Sequence, residues 1–436
     1  MNRLTSTHRQ LWQLAIPVML SNISVPLLGL VDTAILGHLS DPSYLAAVAM
    51  GSSLFTFVFW SFAFLRMGTT AMVARHFESP IQLQGVLQSA TVMALLIGLG
   101  LMLVSHPLIE LMLWAVDAVE NITPLSERYL AIRFYFAPVS LLNYVALGYL
   151  IGLGRTRDTL IILFSSNILN GVLNYLFVYW LHLNSEGVAY ASNIAESFQL
   201  LAALLFIKPK LFRKDSFHFV QTFYKEFLQL NGHLFIRTFF LLFTFAFFMS
   251  KGAQHSAALL SANAILINLL MFISNALDGF AIASESLVGQ SLAKKNIKKV
   301  LDVITVSGFW SAVFAFIFSF VLWIGNDAIL SLLTSQNDVL AILDILHYWL
   351  IFLPIAGFAC YWLDGIYIGL AQAKTMRNSV LFSVFILFLP IQFIFNAWEF
   401  HGLWLAFFAF LLGRAIWQLF ALSRVLFKVE NQITLK

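Results

Sequence analysis

The chain has 436 residues, 60% of them hydrophobic and 11% charged, with a net charge of +4. A soluble fold of this length needs far less Phe, Leu and Ile, and the apolar runs are continuous rather than alternating, which also excludes a membrane β-barrel. The composition is that of an all-α polytopic membrane protein, and its surplus of Lys and Arg sits at membrane edges, so it implies no nucleic-acid partner.

Cutting at the polar breaks predicts twelve transmembrane helices. In chain order they cover 10–37, 44–77, 88–112, 126–153, 158–182 and 187–207, then 223–249, 256–292, 300–323, 340–370, 376–397 and 401–427. The second, eighth and tenth runs exceed the ~20 residues that cross a hydrocarbon core, so tilts or kinks are expected there. Basic residues alternate with the spans. Arg75, Arg155, Arg157, Lys294, Lys295, Lys374 and Arg377 follow even-numbered spans, whereas the other loops hold Arg128 and Lys251. That bias predicts both termini in the cytoplasm. The first apolar run is too long for a cleavable signal peptide.

The chain also repeats itself. GYLIGLGRTRDT (148–159) resembles GIYIGLAQAKTM (365–376), and Pro138 and Pro354 precede them at nearly the same offset. Two parallel six-helix halves follow, expected as an N-terminal lobe 1–207, a basic cytoplasmic linker 208–222 and a C-terminal lobe 223–436.

Polar residues inside the spans are the candidates for function. Span 1 contains VPLLGLVDTAILGHL (25–39), with Asp32 the only charge from Leu11 to Gly37. A carboxylate inside a bilayer costs about 2.5–3.5 kcal/mol on an insertion scale, so it is either a structural ion-pair partner or a group that binds and releases a proton or cation. Pro17 and Pro26 weaken the same helix, and Pro26 beside Asp32 is the expected hinge. In span 5, Asn167, Asn170 and Asn174 are spaced three and four apart and share one face, with Ser192, Asn193 and Glu196 following on span 6. Such a face either binds a carboxylate and a cation or is interhelical polar glue. The second half has Asp278 and Glu285 seven apart, Asp364 in span 10, and Arg237 and His233 on span 7. This set reads as a substrate or cation site or as an ion-pair network. Arg66 and Arg414 are read as snorkelling or paired residues, and Cys360 as a buried small hydrophobe. No phosphate loop, HExxH motif or nucleophile elbow appears, so neither ATP-driven work nor an enzymatic activity is expected. No cofactor or metal is expected.

The segments VPLLGLVDTAILGHL, FLRMGTTAMVARHF, NILNGVLNYLFV, NALDGFAIASES and CYWLDGIYIGLAQAKTMRNS cover both halves. Together they resemble the MATE family of multidrug and toxic compound extrusion antiporters, above all its DinF-like branch. The resemblance implies a V-shaped pair of six-helix bundles that exports organic, often cationic compounds against an inward flow of protons or sodium. It assigns the coupling role to Asp32. It also maps the family's span 5 pattern, an Asn followed four residues later by an Asp, onto Asn170 and Asn174. Here the second acid is an amide, which leaves about one elementary charge per cycle at this site. The family's second-half acids match Asp278, Glu285 and Asp364.

The expected function is therefore H+-driven efflux in a bacterial inner membrane by a monomer. Its partners are small organic substrates, H+ or Na+, and lipid. A sodium-coupled antiporter and a lipid-linked saccharide flippase of related architecture are the alternatives. The flippase would need buried Arg and Lys to hold pyrophosphate.

Overall fold

The computed structural model describes the backbone of residues 2–39, 41–116, 122–207, 217–255, 257–334 and 336–434. Among these the fold is helical throughout and has no strand. The first half comprises α1 (Asn2–Gly37), α2 (Ser43–Trp60), α3 (Phe64–His76), α4 (Pro80–Leu103), α5 (Ser105–Ala115), α6 (Thr123–Tyr135), α7 (Ala137–Gly152), α8 (Thr156–Tyr175) and α9 (Asn184–Ile207). The second comprises α10 (Phe217–His255), α11 (Ala257–Ala293), α12 (Ile297–Leu333), α13 (Asn337–Gly369), α14 (Ala373–Phe382), α15 (Leu389–Ile394) and α16 (Glu399–Thr434). The expected linker lies outside the described residues as far as 216, and α10 begins at Phe217.

Ten helical runs among the described residues are long and apolar enough to cross a membrane, or eleven when the bent pair α6–α7 counts as one. The 36-residue α1, which holds the first of the twelve expected spans, is not among these runs. Of the three overlong spans, the second breaks, at the turn Ser61–Ala63 between α2 and α3, while α11 and α13 run on unbroken. Span 4 breaks as well: α6 and α7 meet at 53°, just before Pro138 in the first turn of α7. Proline lacks the N–H that would continue the helix and clashes one turn back. The same chemistry accounts for the π-helical turn at Ser383–Phe388, which widens the ladder immediately before Pro390. A second π-turn, Leu176–Trp180, ends span 5. In α1 the backbone stays helical through both Pro17 and Pro26, while the side chain of Pro26 lies outside the described residues.

Helix ends follow local chemistry. Ser79 caps α4 by accepting from Gln82 N, with Pro80 in the first turn. Asp41, between α1 and α2, accepts from Ser43 N at 2.9 Å, and that bond holds its exposed carboxyl below the usual range. The spans that carry the repeat end alike. Gly154 N donates to Ile151 O and Arg155 N to Leu150 O, at 2.8 and 2.9 Å. Ala371 N donates to Ile368 O and Gln372 N to Tyr367 O at the same two distances. Both are Schellman turns closed by a residue in the left-handed region, φ 74° at Gly154 and 54° at Ala371.

The repeat extends into packing. α7 lies on α3 through Gly152, where a Cβ would come within 2.8 Å of Thr70 O. α13 lies on α11 through Gly369, where a Cβ would come within 2.7 Å of Glu285 O. Small residues let helix backbones approach this closely, which is the main packing device when lipid removes the hydrophobic drive.

The structure divides into two compact units, Leu20–Gln229 and Met1–Met19 with Leu230–Lys436. The boundaries thus fall inside α1 and α10, and the first half of α1 packs with the second set of helices. Trp12 meets Phe280, Trp310 and Phe314 with ring centroids 4.9–5.7 Å apart, and Trp310 Nε1 donates to His8 Nδ1 at 2.9 Å.

Candidate functional site

In the unit Leu20–Gln229, the amide face of α8 meets the C-terminal half of α1. Asn174 Nδ2 donates to Asp32 Oδ1 and, at 2.8 Å, to Asn170 Oδ1. Asn170 Nδ2 donates in turn to Ser192 Oγ on α9 at 3.2 Å. Asp32, Asn174, Asn170 and Ser192 are therefore one chain of hydrogen bonds across three helices. The third amide, Asn167, instead donates to Ser24 Oγ at 2.9 Å and ties α8 to α1 two turns before Asp32. Tyr179, in the π-turn, donates to Ile35 O at 2.9 Å and fixes the far side. Asn174 is fully buried and Asn170 is 3% exposed, whereas Asp32 keeps a partly open surface. Both protons of the Asn174 amide are used, and its Oδ1 is buried without a hydrogen-bond partner.

Glu196 stands apart from this chain. It accepts from Arg133 Nη2 at 2.5 Å and from Ser140 Oγ, while Arg133 Nη1 donates to Asn193 Oδ1 at 2.7 Å. The guanidinium lies 4.2 Å from the Phe55 ring centroid, a cation–π contact. Asn193 is held in turn by a bond to Ile132 O at 2.7 Å. Arg133 was not among the residues singled out by sequence. The signal available was Glu196 itself, because a carboxylate in a membrane span requires a partner.

In the other unit, Asp364 on α13 accepts from Arg237 on α10, from Arg414 Nη2 on α16 at 2.7 Å, and from Gln418 Nε2 at 2.8 Å. Gln418 is fixed by its own carbonyl, which accepts from Tyr367 at 2.6 Å. Arg237, Asp364 and Arg414 are all buried, Arg414 to within 1%. Arg414 is thus a paired residue. Glu285 is buried on α11, with its carbonyl against Gly369. Asp278 lies two turns earlier and is half-buried. His233 contacts Arg377 Nη1 at 3.2 Å. Cys360 is fully buried, its thiol donating to Gly357 O. Two buried guanidiniums thus meet on a single carboxylate in this half.

The two carboxylate environments differ in what they permit. Around Asp32 the donors are neutral, so its charge can change without stranding a buried opposite charge. Its neighbours also offer oxygens to a small cation: Asn170 Oδ1, Ser192 Oγ and the unpartnered Asn174 Oδ1. Asp364 cannot lose its charge without leaving two guanidiniums uncompensated. Among the described residues no group of three or more His, Cys, Asp or Glu side chains is placed to hold a metal ion.

The MatE family model matches residues 17–176 and 233–394, one segment in each half. The chain is 38% identical to DNA damage-inducible protein F of Escherichia coli (strain K12), covering 95% of this chain and 93% of that protein. It is 24% identical to the probable multidrug resistance protein NorM of Bacillus cereus (strain ATCC 10987 / NRS 248), over 98% and 96% of the two chains. The fold matches the crystal structure of the Vibrio cholerae MATE transporter VcmN in the bent form. That match has a TM-score of 0.83 and 19% identity, and covers 100% of this chain and 99% of that one. With ten to eleven apolar spans among the described residues, a family match in each half and full-length relatives, the chain belongs to the MatE family, as a multi-pass membrane transporter on its DinF-like branch.

Proposed function

We propose that this transporter exports organic, often cationic or amphipathic compounds in exchange for inward protons, with Asp32 as the proton-carrying group. The observation that carries the reading is the Asp32–Asn174–Asn170–Ser192 chain: a carboxylate at a membrane position, held by neutral donors, on a helix weakened by Pro26. Multidrug export is supported by the likeness to NorM, a probable multidrug resistance protein.

Substrate binds while Asp32 is ionised. A proton arriving from outside neutralises Asp32, α1 bends near Pro26, and substrate is released outward. The proton then leaves to the inside as the protein returns. The coupling free energy is the difference in proton affinity between the two states. A difference of about 2 pKa units supplies roughly 2.7 kcal/mol. In this reading the protein works as a monomer in a bacterial inner membrane with both termini cytoplasmic.

Sodium coupling is the second reading, favoured by the buried Asn174 Oδ1, which has no hydrogen-bond partner and suits a bare monovalent cation. Proteoliposome efflux of a fluorescent organic cation separates the two. Efflux under an imposed pH gradient without sodium, lost in Asp32→Asn, supports protons. Efflux that follows only a sodium gradient rejects them, and wild-type efflux in Asp32→Asn rejects both.

A further inference from the structure

Where α13 passes the start of α16, the second set of helices encloses a cavity of about 420 Å³ lined by Trp349, Trp398, His401 and Leu405. Three of these four walls are aromatic rings, and each ring is braced from behind. Trp349 Nε1 donates to His401 Nδ1 at 3.1 Å, and its indole packs on Phe408 with ring centroids 4.9 Å apart. Trp398 closes the short turn Asn396–Trp398, where its N donates to Phe395 O at 3.0 Å and its indole lies 4.7 Å from the Phe395 ring. The Trp398 side of the cavity is accessible, since that residue keeps 58% of its surface exposed. The surrounding charge has one sign. Neither 300–373 nor 378–413 contains a Lys or Arg, while Asp338 and Asp344 stand exposed on α13 in the turns before Trp349.

Aromatic rings attract a cation through their electron-rich faces, and that attraction grows where water is partly excluded. Acids without bases nearby raise the local concentration of cations, and the volume is that of a small-molecule site. Indoles are also common at membrane interfaces, but there each ring anchors its own helix among the headgroups; here two indoles and an imidazole line one space. We infer that this cavity binds a small organic cation, such as a quaternary ammonium, on the rings of Trp349 and Trp398. The site lies in a different unit from Asp32. It stands 20 residues before the end of α13, about 30 Å along the helix from the basic turn that carries Lys374 and Arg377. With both termini cytoplasmic this is the outward end, so the site receives a cation on its way out. In that respect the inference rests on the proposed export of organic cations.

The test is fluorine NMR of the full-length transporter in lipid nanodiscs, with its tryptophans replaced by fluorotryptophan. The signals of residues 349 and 398 are assigned from Trp349→Phe and Trp398→Phe. The probe is tetraethylammonium, titrated against sodium chloride at equal ionic strength. Both signals are expected to shift saturably with one midpoint, and neither with sodium chloride. Trp349→Leu keeps an apolar wall but removes the ring, and weakens binding read at residue 398 by about tenfold. Trp349→Phe, which restores a ring, recovers most of that loss. Unmoved signals in the wild type overturn the inference without any variant, and so does undiminished binding in folded Trp349→Leu. Where that variant does not fold, Trp398→Leu read at residue 349 takes its place. Signals that respond to a change of lipid acyl chain and ignore tetraethylammonium assign the cavity to lipid and also overturn it. The titration uses no gradient, so it is separable from the export reading: binding at these indoles in a protein that exports no cation keeps the site and defeats the export, and export without any shift here does the reverse.

Discussion

Pro138 and Pro354 hold matching places in the two halves, yet the chain breaks by 53° before the first and α13 runs unbroken through the second. The glycine contacts and Schellman turns beside them are nearly superimposable in kind. The polar centres are not. Asp32 rests on an amide and keeps a partly open surface, whereas Asp364 is clamped by Arg237, Arg414 and Gln418 in full burial. A repeated backbone therefore carries two different acid environments: one held by a neutral amide, the other clamped by two guanidiniums.

Breaking the locked centre has the largest expected effect. Asp364→Asn leaves two buried guanidiniums without their carboxylate and costs about 3–5 kcal/mol, read as a fall in thermal stability of the purified protein. Asp32→Asn, which replaces one neutral-donor contact by another, costs about 1 kcal/mol or less while abolishing proton-driven efflux. Equal destabilisation by the two acid substitutions would erase the contrast between the halves.

The shared packing seam comes next. Gly152→Ala and Gly369→Ala each push a methyl into a facing backbone carbonyl and should cost about 1–3 kcal/mol, with similar losses in both halves. A smaller, functional change comes from Asn174→Asp. It places a second carboxylate against Asp32, the pair shares a proton, and half-maximal efflux moves upward by about 1 pH unit, read from efflux against pH. The smallest effect is Ala371→Gly. It relieves the left-handed strain that Gly154 avoids in the first half, stabilising by up to about 1 kcal/mol, again read by thermal melting.

Much of this was legible in the residues. Alternating basic loops and the two GxxxG-bearing repeats reveal the twelve spans and their doubling, because both are local patterns. The spacing of Asn170 and Asn174 marks a single helical face, and Asp32 is conspicuous as a lone charge. Three features depend on which helices meet. Glu196 shares the face of Ser192 by sequence, but its partner Arg133 comes from α6, which spacing along α9 cannot reveal. The sequence leaves Asp364 open between a substrate or cation site and an ion-pair network, whereas Arg237 and Arg414 converge on it from two distant helices. The first half of α1 reads as part of the N-terminal lobe, but Trp12 finds its aromatic partners on α11 and α12.

The most direct measurement is an infrared titration of the reconstituted transporter that follows the carbonyl stretch of a buried carboxylic acid. The account predicts a band that appears on acidification, disappears on alkalinisation or on binding an organic cation, and is missing in Asp32→Asn. A spectrum in which no band depends on residue 32 at any acidity the protein survives, with or without substrate, would contradict it.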